Sequence, residues 1–194
     1  MLPEFTPFTI HTPDTCLYNV ERLAQKLHIR ITPFSMKPED YLSRVALLQK
    51  DIASAEHLHR GWATYTLLKA IFQRQGGLLL VDNDLVCVET VPNIRAVLKE
   101  AQELTDQPWD LLILAANGYT TNKPITHKLD RVYRVRGAKM VYIHKYCVGN
   151  LILTFEKALH EGVFLHGDRL LNAAIHEHGL YALGVSQAKA YFRS

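Results

Sequence analysis

The chain has 194 residues, a hydrophobic content of 48% and a formal net charge of +3. This length and composition predict one globular domain over residues 1–194 with a single substantial core. The three cysteines are far apart and odd in number, which argues against a disulfide framework and against a zinc ribbon. The chain shows neither a signal-peptide pattern nor an uncharged stretch of about 18 residues that would span a bilayer. We therefore expect a cytoplasmic protein.

Strand and helix patterns alternate along the chain, which predicts an α/β fold with a mostly parallel sheet flanked by helices. The polar segment 117–122 is expected to be a loop, because it contains an Asn-Gly pair. The expected strands are 5–11, 30–34, 77–81, 109–115, 131–135, 140–144 and 180–185. The expected helices are 12–27, 38–50, 54–74, 91–104, 148–160 and 168–176.

The aliphatic strand at 77–81 ends in the sequence Asp82-Asn83-Asp84. A continuous aliphatic run predicts a strand that is covered on both faces, and α/β sheets bind ligands at the carboxyl ends of such strands. Asp82 and Asp84 could share one hard divalent cation there. The spacing is that of the D-x-D motif of nucleotide-sugar glycosyltransferases. The alternative is that Asp82 is only a helix cap or a loop acid.

A basic and aromatic segment covers 123–145, where seven lysines and arginines accompany the single acid Asp130. Such a run is usually a solvated face. It could instead hold the diphosphate of a donor, with Arg134 and Arg136 as candidate ligands. A third possibility is a polyanionic acceptor such as nucleic acid, because phosphates dominate nucleic-acid affinity and bases stack on aromatic rings.

Asp168 follows a glycine and precedes an apolar helix. An acid in this place is commonly an N-cap, but it could also face an acceptor hydroxyl and act as the general base that inverting sugar transfer requires. His176 and His178 follow on the same helix. His178 is a candidate for the remaining metal ligand, although no zinc-binding motif is present.

Four segments carry a resemblance to glycosyltransferase family 25, which includes bacterial lipooligosaccharide galactosyltransferases and collagen galactosyltransferases. They are, in order, 61–72, the acidic strand end at 78–84, Trp109-Asp110-Leu111-Leu112, and Gly167-Asp168-Arg169-Leu170-Leu171. The resemblance implies a GT-A-like fold. It also implies that Asp82, Asn83 and Asp84 form the metal and donor motif and that Asp168 lies on the acceptor side.

A member of this group would be a metal-dependent glycosyltransferase. It would use Mn²⁺ or Mg²⁺ to stabilise the departing diphosphate and a nucleotide-sugar donor such as a UDP-sugar. The acceptor would be a hydroxyl group of a glycan or of a hydroxylated base in DNA, as in viral DNA-modifying transferases.

Two other classes of protein remain open. The run 79–86 resembles the nucleophile strand of haloacid-dehalogenase-like phosphatases, in which the first Asp attacks phosphate and the second is the acid or base. That strand usually lies near the N-terminus, whereas here several strands and helices are expected before it. The chain could also be a non-catalytic nucleic-acid-binding protein. A dinucleotide oxidoreductase is disfavoured, since no G-x-G-x-x-G sequence follows a strand.

Overall fold

A computed structural model describes residues 5–11, 17–37, 39–40, 55–87, 91–104, 108–186 and 192–193. Its strands are β1 (Phe5–Ile10), β2 (Thr32–Phe34), β3 (Gly77–Val81), β4 (Val86–Cys87), β5 (Leu111–Pro124), β6 (Leu129–Ile143), β7 (Ala182–Val185) and β8 (Phe192–Arg193). Its helices are α1 (Tyr18–Leu27), α2 (Ala55–Gln73), α3 (Val91–Glu103), α4 (Val148–His160) and α5 (Gly167–His178).

The central sheet has six strands in the order β2-β1-β3-β6-β5-β7. Strand β1 pairs in parallel with β2 and with β3, and β5 pairs in parallel with β7. Strand β6 is antiparallel to its neighbours β3 and β5. Five of the six strands therefore run in one direction, which confirms the predicted mixed α/β fold with a mostly parallel sheet.

Helices cover both faces of this sheet, as the alternation of strands and helices predicts. Successive residues of a strand point to opposite faces, so Leu78 and Leu79 of β3 belong to different core clusters. The cluster around Leu78 is closed by residues of α2, α4 and α5. The cluster around Leu79 is closed by residues of α1 and α3. This two-sided burial explains why β3 is aliphatic throughout and why the first polar residue appears where the strand ends.

Strands β5 and β6 form a long hairpin that the sequence did not predict. The polar segment 117–122, expected to be a loop, lies within β5, and the two short strands expected at 131–135 and 140–144 are parts of one continuous β6. The Asn-Gly pair favours a turn, but β6 provides an antiparallel partner that keeps this segment extended. Gly118 lies opposite Arg136, and Thr120 lies opposite Arg134. The start of β6 also pairs with β7, so the hairpin curls until its outer part reaches β7.

The other predicted elements agree with the structure to within a few residues where they are described. Most of the helix expected over 38–50, and residues 12–16 of the first expected helix, lie outside the described residues. The small sheet formed by β4 and β8 was not predicted. Among the described helices, none has the length and apolar character needed to cross a membrane.

Candidate functional site

A cleft of about 490 Å³ opens where β3 ends. Its walls come from α2, from the β5–β6 hairpin and from the first turn of α5. The charged side chains that line it within the described part of the chain are Glu56, Arg60, Asp82, Asp84, Lys139 and Asp168. The fold therefore brings the acidic turn after β3 and the later acid Asp168 into one cavity, although 83 residues of sequence lie between Asp84 and Asp168.

Asp82 is held firmly at the end of β3. Its backbone N–H donates to the carbonyl of Lys139 at 2.7 Å, and its Oδ1 accepts the backbone N–H of Asn83 at 2.9 Å. The side chain is only 10% exposed. A buried carboxylate needs partners, and Asp82 finds them in two cations.

Lys139 lies between the two acids. Its Nζ donates to Oδ2 of Asp84 at 2.7 Å and to Oδ2 of Asp82 at 3.2 Å. Burial alone would lower the pKa of Lys139, but the hydrogen bond to Asp84 and the charge of Asp82 outweigh it, so the pKa is raised. Lys139 is therefore a charged group that the acid pair fixes in the cleft.

Arg60 approaches Asp82 from α2. Its Nη1 lies 3.3 Å from Oδ2 of Asp82, and its Nε lies 3.1 Å from Oε1 of Glu56, one helical turn earlier. Its Nη2 also donates to Oδ1 of Asn83 at 3.5 Å. The guanidinium thus joins the side chains of Glu56, Asp82 and Asn83 into one network.

Asp168 is positioned by the hairpin. Its Oδ2 accepts the backbone N–H of Gly137 at 3.0 Å. One turn further along α5, Asn172 accepts from the N–H of Val135 and donates to its carbonyl, both at 2.8 Å. These two side chains occupy the edge of β6 between the parts that pair with β7 and β3, so α5 is docked directly onto the hairpin.

Two histidines add an aromatic surface to the cleft. The rings of His57 and His166 stack with centroids 4.3 Å apart. Burial lowers the pKa of His166, and the neighbouring His57 and Arg169 lower it further. The two stacked rings form a flat aromatic surface in the same cleft as Asp168.

Sequence reasoning did not find Arg60, His57 or His166. Each lies on a helix or in a loop where its type is common, and no motif marks it. Lys139 belongs to the basic segment at 123–145, but nothing in the sequence separates it from its basic neighbours. Its position opposite the acids depends on the pairing of β6 with β3.

Three of the predicted site residues lie elsewhere. Arg134 and Arg136 are exposed on β6 and are not among the described residues that line the cleft. His178 is the last residue of α5, ten residues beyond Asp168 and thus about 15 Å along the helix. Its Nε2 is 3.0 Å from Oγ1 of Thr154. The structure therefore does not bring these three side chains to the acid pair.

The basic segment does not form one charged face. Lys139 points into the cleft, Lys128 pairs with Glu100, and the guanidinium of Arg131 lies 3.5 Å from the ring centre of Tyr181. The charges of this segment thus serve different local roles.

Asp82 and Asp84 offer a partial ligand set for Mn²⁺ or Mg²⁺. Their two Oδ2 atoms converge on one point, the Nζ of Lys139, but no group of three metal-ligating side chains occurs in the described ranges. The charged residues of the cleft named above are four carboxylates and two permanent cations, a formal excess of two negative charges. Mg²⁺ commonly binds one or two carboxylates together with substrate phosphates. These residues fit a cation that arrives with a diphosphate, and the metal stays a prediction.

No protein-family model matches this chain, and no curated protein matches it. Among solved structures, it is similar to A197 from STIV, with a TM-score of 0.55 and 13% identity over 94% of this chain and 82% of that one. It is also similar, with a TM-score of 0.42 and 11% identity, to a glycosyltransferase involved in glycosylation of the major capsid of PBCV-1, over 97% of this chain and 96% of that one.

A putative glucose-1-phosphate thymidylyltransferase from Bacillus anthracis gives a TM-score of 0.47 and 10% identity over 97% of this chain and 88% of that one. At TM-scores below 0.5, the two transferase likenesses carry no conclusion about activity. Membership of glycosyltransferase family 25 has no support from a family match. The likeness to the STIV protein shows that this chain shares its fold.

Proposed function

We propose that this chain is a glycosyltransferase that moves a sugar from a nucleotide-sugar donor to a hydroxyl acceptor. The observation that carries the proposal is that Asp82 and Asp84, at the carboxyl end of β3, share one cleft with Asp168. Ligands of α/β proteins bind at this edge of the sheet. A volume of about 490 Å³ also lies in the range of small-molecule sites.

In this proposal, Asp82 and Asp84 hold Mn²⁺ or Mg²⁺ together with the diphosphate of a donor such as a UDP-sugar. The cation, when bound, would neutralise charge that develops on the diphosphate as it departs. Arg60 keeps Asp82 in place through the network with Glu56 and Asn83. Asn83 contributes by fixing the turn, since its N–H donates to Asp82.

Asp168 is the proposed general base. The acceptor oxygen forms a bond to the anomeric carbon, and the bond from that carbon to the phosphate oxygen breaks with its electron pair remaining on the diphosphate. The proton of the acceptor hydroxyl passes to the carboxylate of Asp168. Gly137 orients this carboxylate through its N–H. The proposed acceptor is a hydroxyl of a glycan or of a hydroxylated base in DNA.

A thermal-shift screen tests the donor half of the proposal. The purified protein is heated with nucleotide sugars and free nucleotides, each with and without Mn²⁺. A ligand that binds only the native state raises the unfolding temperature, so we expect a Mn²⁺-dependent rise with one class of nucleotide. A rise only with Mg²⁺ and a phosphate analogue would favour a phosphatase, and a rise only with DNA would favour a nucleic-acid-binding protein.

The role of the two acids is then tested by measuring how fast the protein consumes the donor that this screen identifies. Asp84→Asn should reduce turnover strongly and leave folding intact, because the Asp84 side chain is 49% exposed. Glu103→Gln, on an exposed ion pair of α3, is the matched control and should behave as wild type. Full turnover in both Asp82→Asn and Asp84→Asn would refute the assignment.

A further inference from the structure

The ammonium group of Lys139 lies where the two carboxylates of the acidic turn converge. We propose that Lys139 is a built-in cation that occupies the acid pair until a divalent cation and a diphosphate arrive together, so that metal binding depends on the donor. This inference rests on the proposed function, since it assigns a role to a residue of the same cleft. Its evidence is the pair of contacts from Nζ to the two Oδ2 atoms, at 2.7 and 3.2 Å.

The two cations cannot share this position. A Mg²⁺ ion binds carboxylate oxygens at about 2.0–2.1 Å, so an ion held by both Oδ2 atoms would lie close to the place that Nζ now fills. Like charges at such a distance repel strongly where water is partly excluded, and the Lys139 side chain is only 18% exposed. A divalent cation that brings no further ligand must therefore displace Lys139. Both hydrogen bonds from Lys139 to the two carboxylates are then lost.

The cleft is built so that Lys139 can leave while Asp82 remains paired. The lysine charge sits at the end of a flexible four-carbon stem that reaches in from β6. Arg60 contacts Asp82 separately, from α2, and is itself held by Glu56. When Lys139 moves, Asp82 keeps one cationic partner, so the turn after β3 keeps its shape.

A diphosphate gives the displaced lysine a new partner. Lysine binds phosphate as a mobile point charge, and a donor brought in with a divalent cation supplies phosphate oxygens beside the acid pair. The negative charge of the diphosphate then compensates both the divalent cation and the displaced Lys139. The cation alone would leave Lys139 without a counter-ion. Affinity for the cation and affinity for the nucleotide should therefore raise each other by the same factor.

The test is equilibrium dialysis of the full chain against Mn²⁺ alone and against Mn²⁺ with UDP. Without nucleotide, Lys139→Met should bind Mn²⁺ more tightly than wild type by roughly ten-fold, within the usual range of coupling between sites. UDP should tighten Mn²⁺ binding in wild type and do so much less in Lys139→Met. Lys157→Met removes a paired lysine on α4 outside the cleft and should match wild type.

Thermal unfolding checks that the variants are native. If Lys139→Met does not fold, Lys139→Gln carries the same expectation, because it keeps a hydrogen-bond donor without the charge. Equal Mn²⁺ affinity in wild type and in the folded, uncharged variant would overturn the inference. If the uncharged variant gains Mn²⁺ affinity but neither protein binds UDP or any other nucleotide, the displacement by Mn²⁺ stands, while the proposed function and the dependence on the donor fail.

Discussion

The backbone N–H of Gly137 donates a hydrogen bond of 3.0 Å to Oδ2 of Asp168. This bond joins the first turn of α5 to the middle of β6, where Gly137 has a positive φ of 57° and lies beside Asn117. The direction of the Asp168 carboxylate therefore depends on an irregular point in the hairpin.

Asp168→Asn should remove the proposed base while keeping the contact to Gly137, because an amide oxygen also accepts an N–H. We expect sugar transfer to fall by about 10²–10⁴-fold, the usual contribution of a general base, with donor affinity unchanged. Glu177→Gln, also on α5 and paired with Lys157, is the control and should keep full activity. Initial rates of transfer and nucleotide binding by calorimetry measure the two quantities. A fall in donor affinity that accounts for the whole loss would mean that Asp168 binds the donor instead.

Gly137→Ala should destabilise the protein through backbone strain and through steric overlap of the new methyl group with Asn117. Its φ of 57° disfavours a side chain, and an added Cβ would lie 2.4 Å from Nδ2 of Asn117. A non-glycine residue in such a conformation costs about 1–3 kcal/mol. Gly162→Ala is the control, because its φ is 74° but no atom lies within 4 Å of its Cβ position. Urea unfolding of both variants separates the overlap from the strain, and equal losses would show that Asn117 moves aside freely.

The aliphatic pattern of β3 was enough to place Asp82 and Asp84 at a strand end in an α/β fold. A strand that is buried on both faces accepts almost only apolar residues, so the first charged residue marks its end. The partners of these acids were not predictable in the same way. Arg60 lies on a helix where an arginine is ordinary, and its contact with Asp82 depends on how α2 packs against β3.

Lys139 shows why local patterns failed in the hairpin. The segment 131–144 has no clean alternation of polar and apolar residues, and the positive φ of Gly137 changes the course of the strand two residues before Lys139. Pairing with β3, more than 50 residues earlier, then sets the position of this lysine. Pairing between strands so far apart in the sequence cannot be recognised from a short segment of neighbouring residues.

Gly61→Ala should weaken the packing of α2 against the segment before α5. An added Cβ would lie 2.4 Å from Cζ of Phe164, whose ring is buried and packed against Phe155 and Trp62. We expect a loss of about 1–3 kcal/mol in the free energy of unfolding from overpacking, reduced by the higher helix propensity of alanine. Gly76→Ala is the control, since nothing lies within 4 Å of its Cβ position, and should be neutral or slightly stabilising. Thermal and urea unfolding provide the comparison, and a neutral Gly61→Ala would mean that Phe164 can shift without cost.

The buried ring of His59 should make stability depend on pH. Its Nε2 accepts the backbone N–H of Met36 at 3.0 Å, which requires a neutral ring. Burial lowers the pKa of His59 from 6.5, and the nearby His11 and Arg60 lower it further. As the pH falls through about 6.5, His59 takes up its proton in the unfolded chain before it does in the native protein. The free energy of unfolding therefore falls with pH from there until the native ring is protonated as well. For one proton the slope is at most about 1.4 kcal/mol per pH unit. Urea unfolding between pH 8 and pH 5 should give a flatter profile for His59→Gln than for wild type, and parallel profiles would mean that protonation of His59 does not oppose folding.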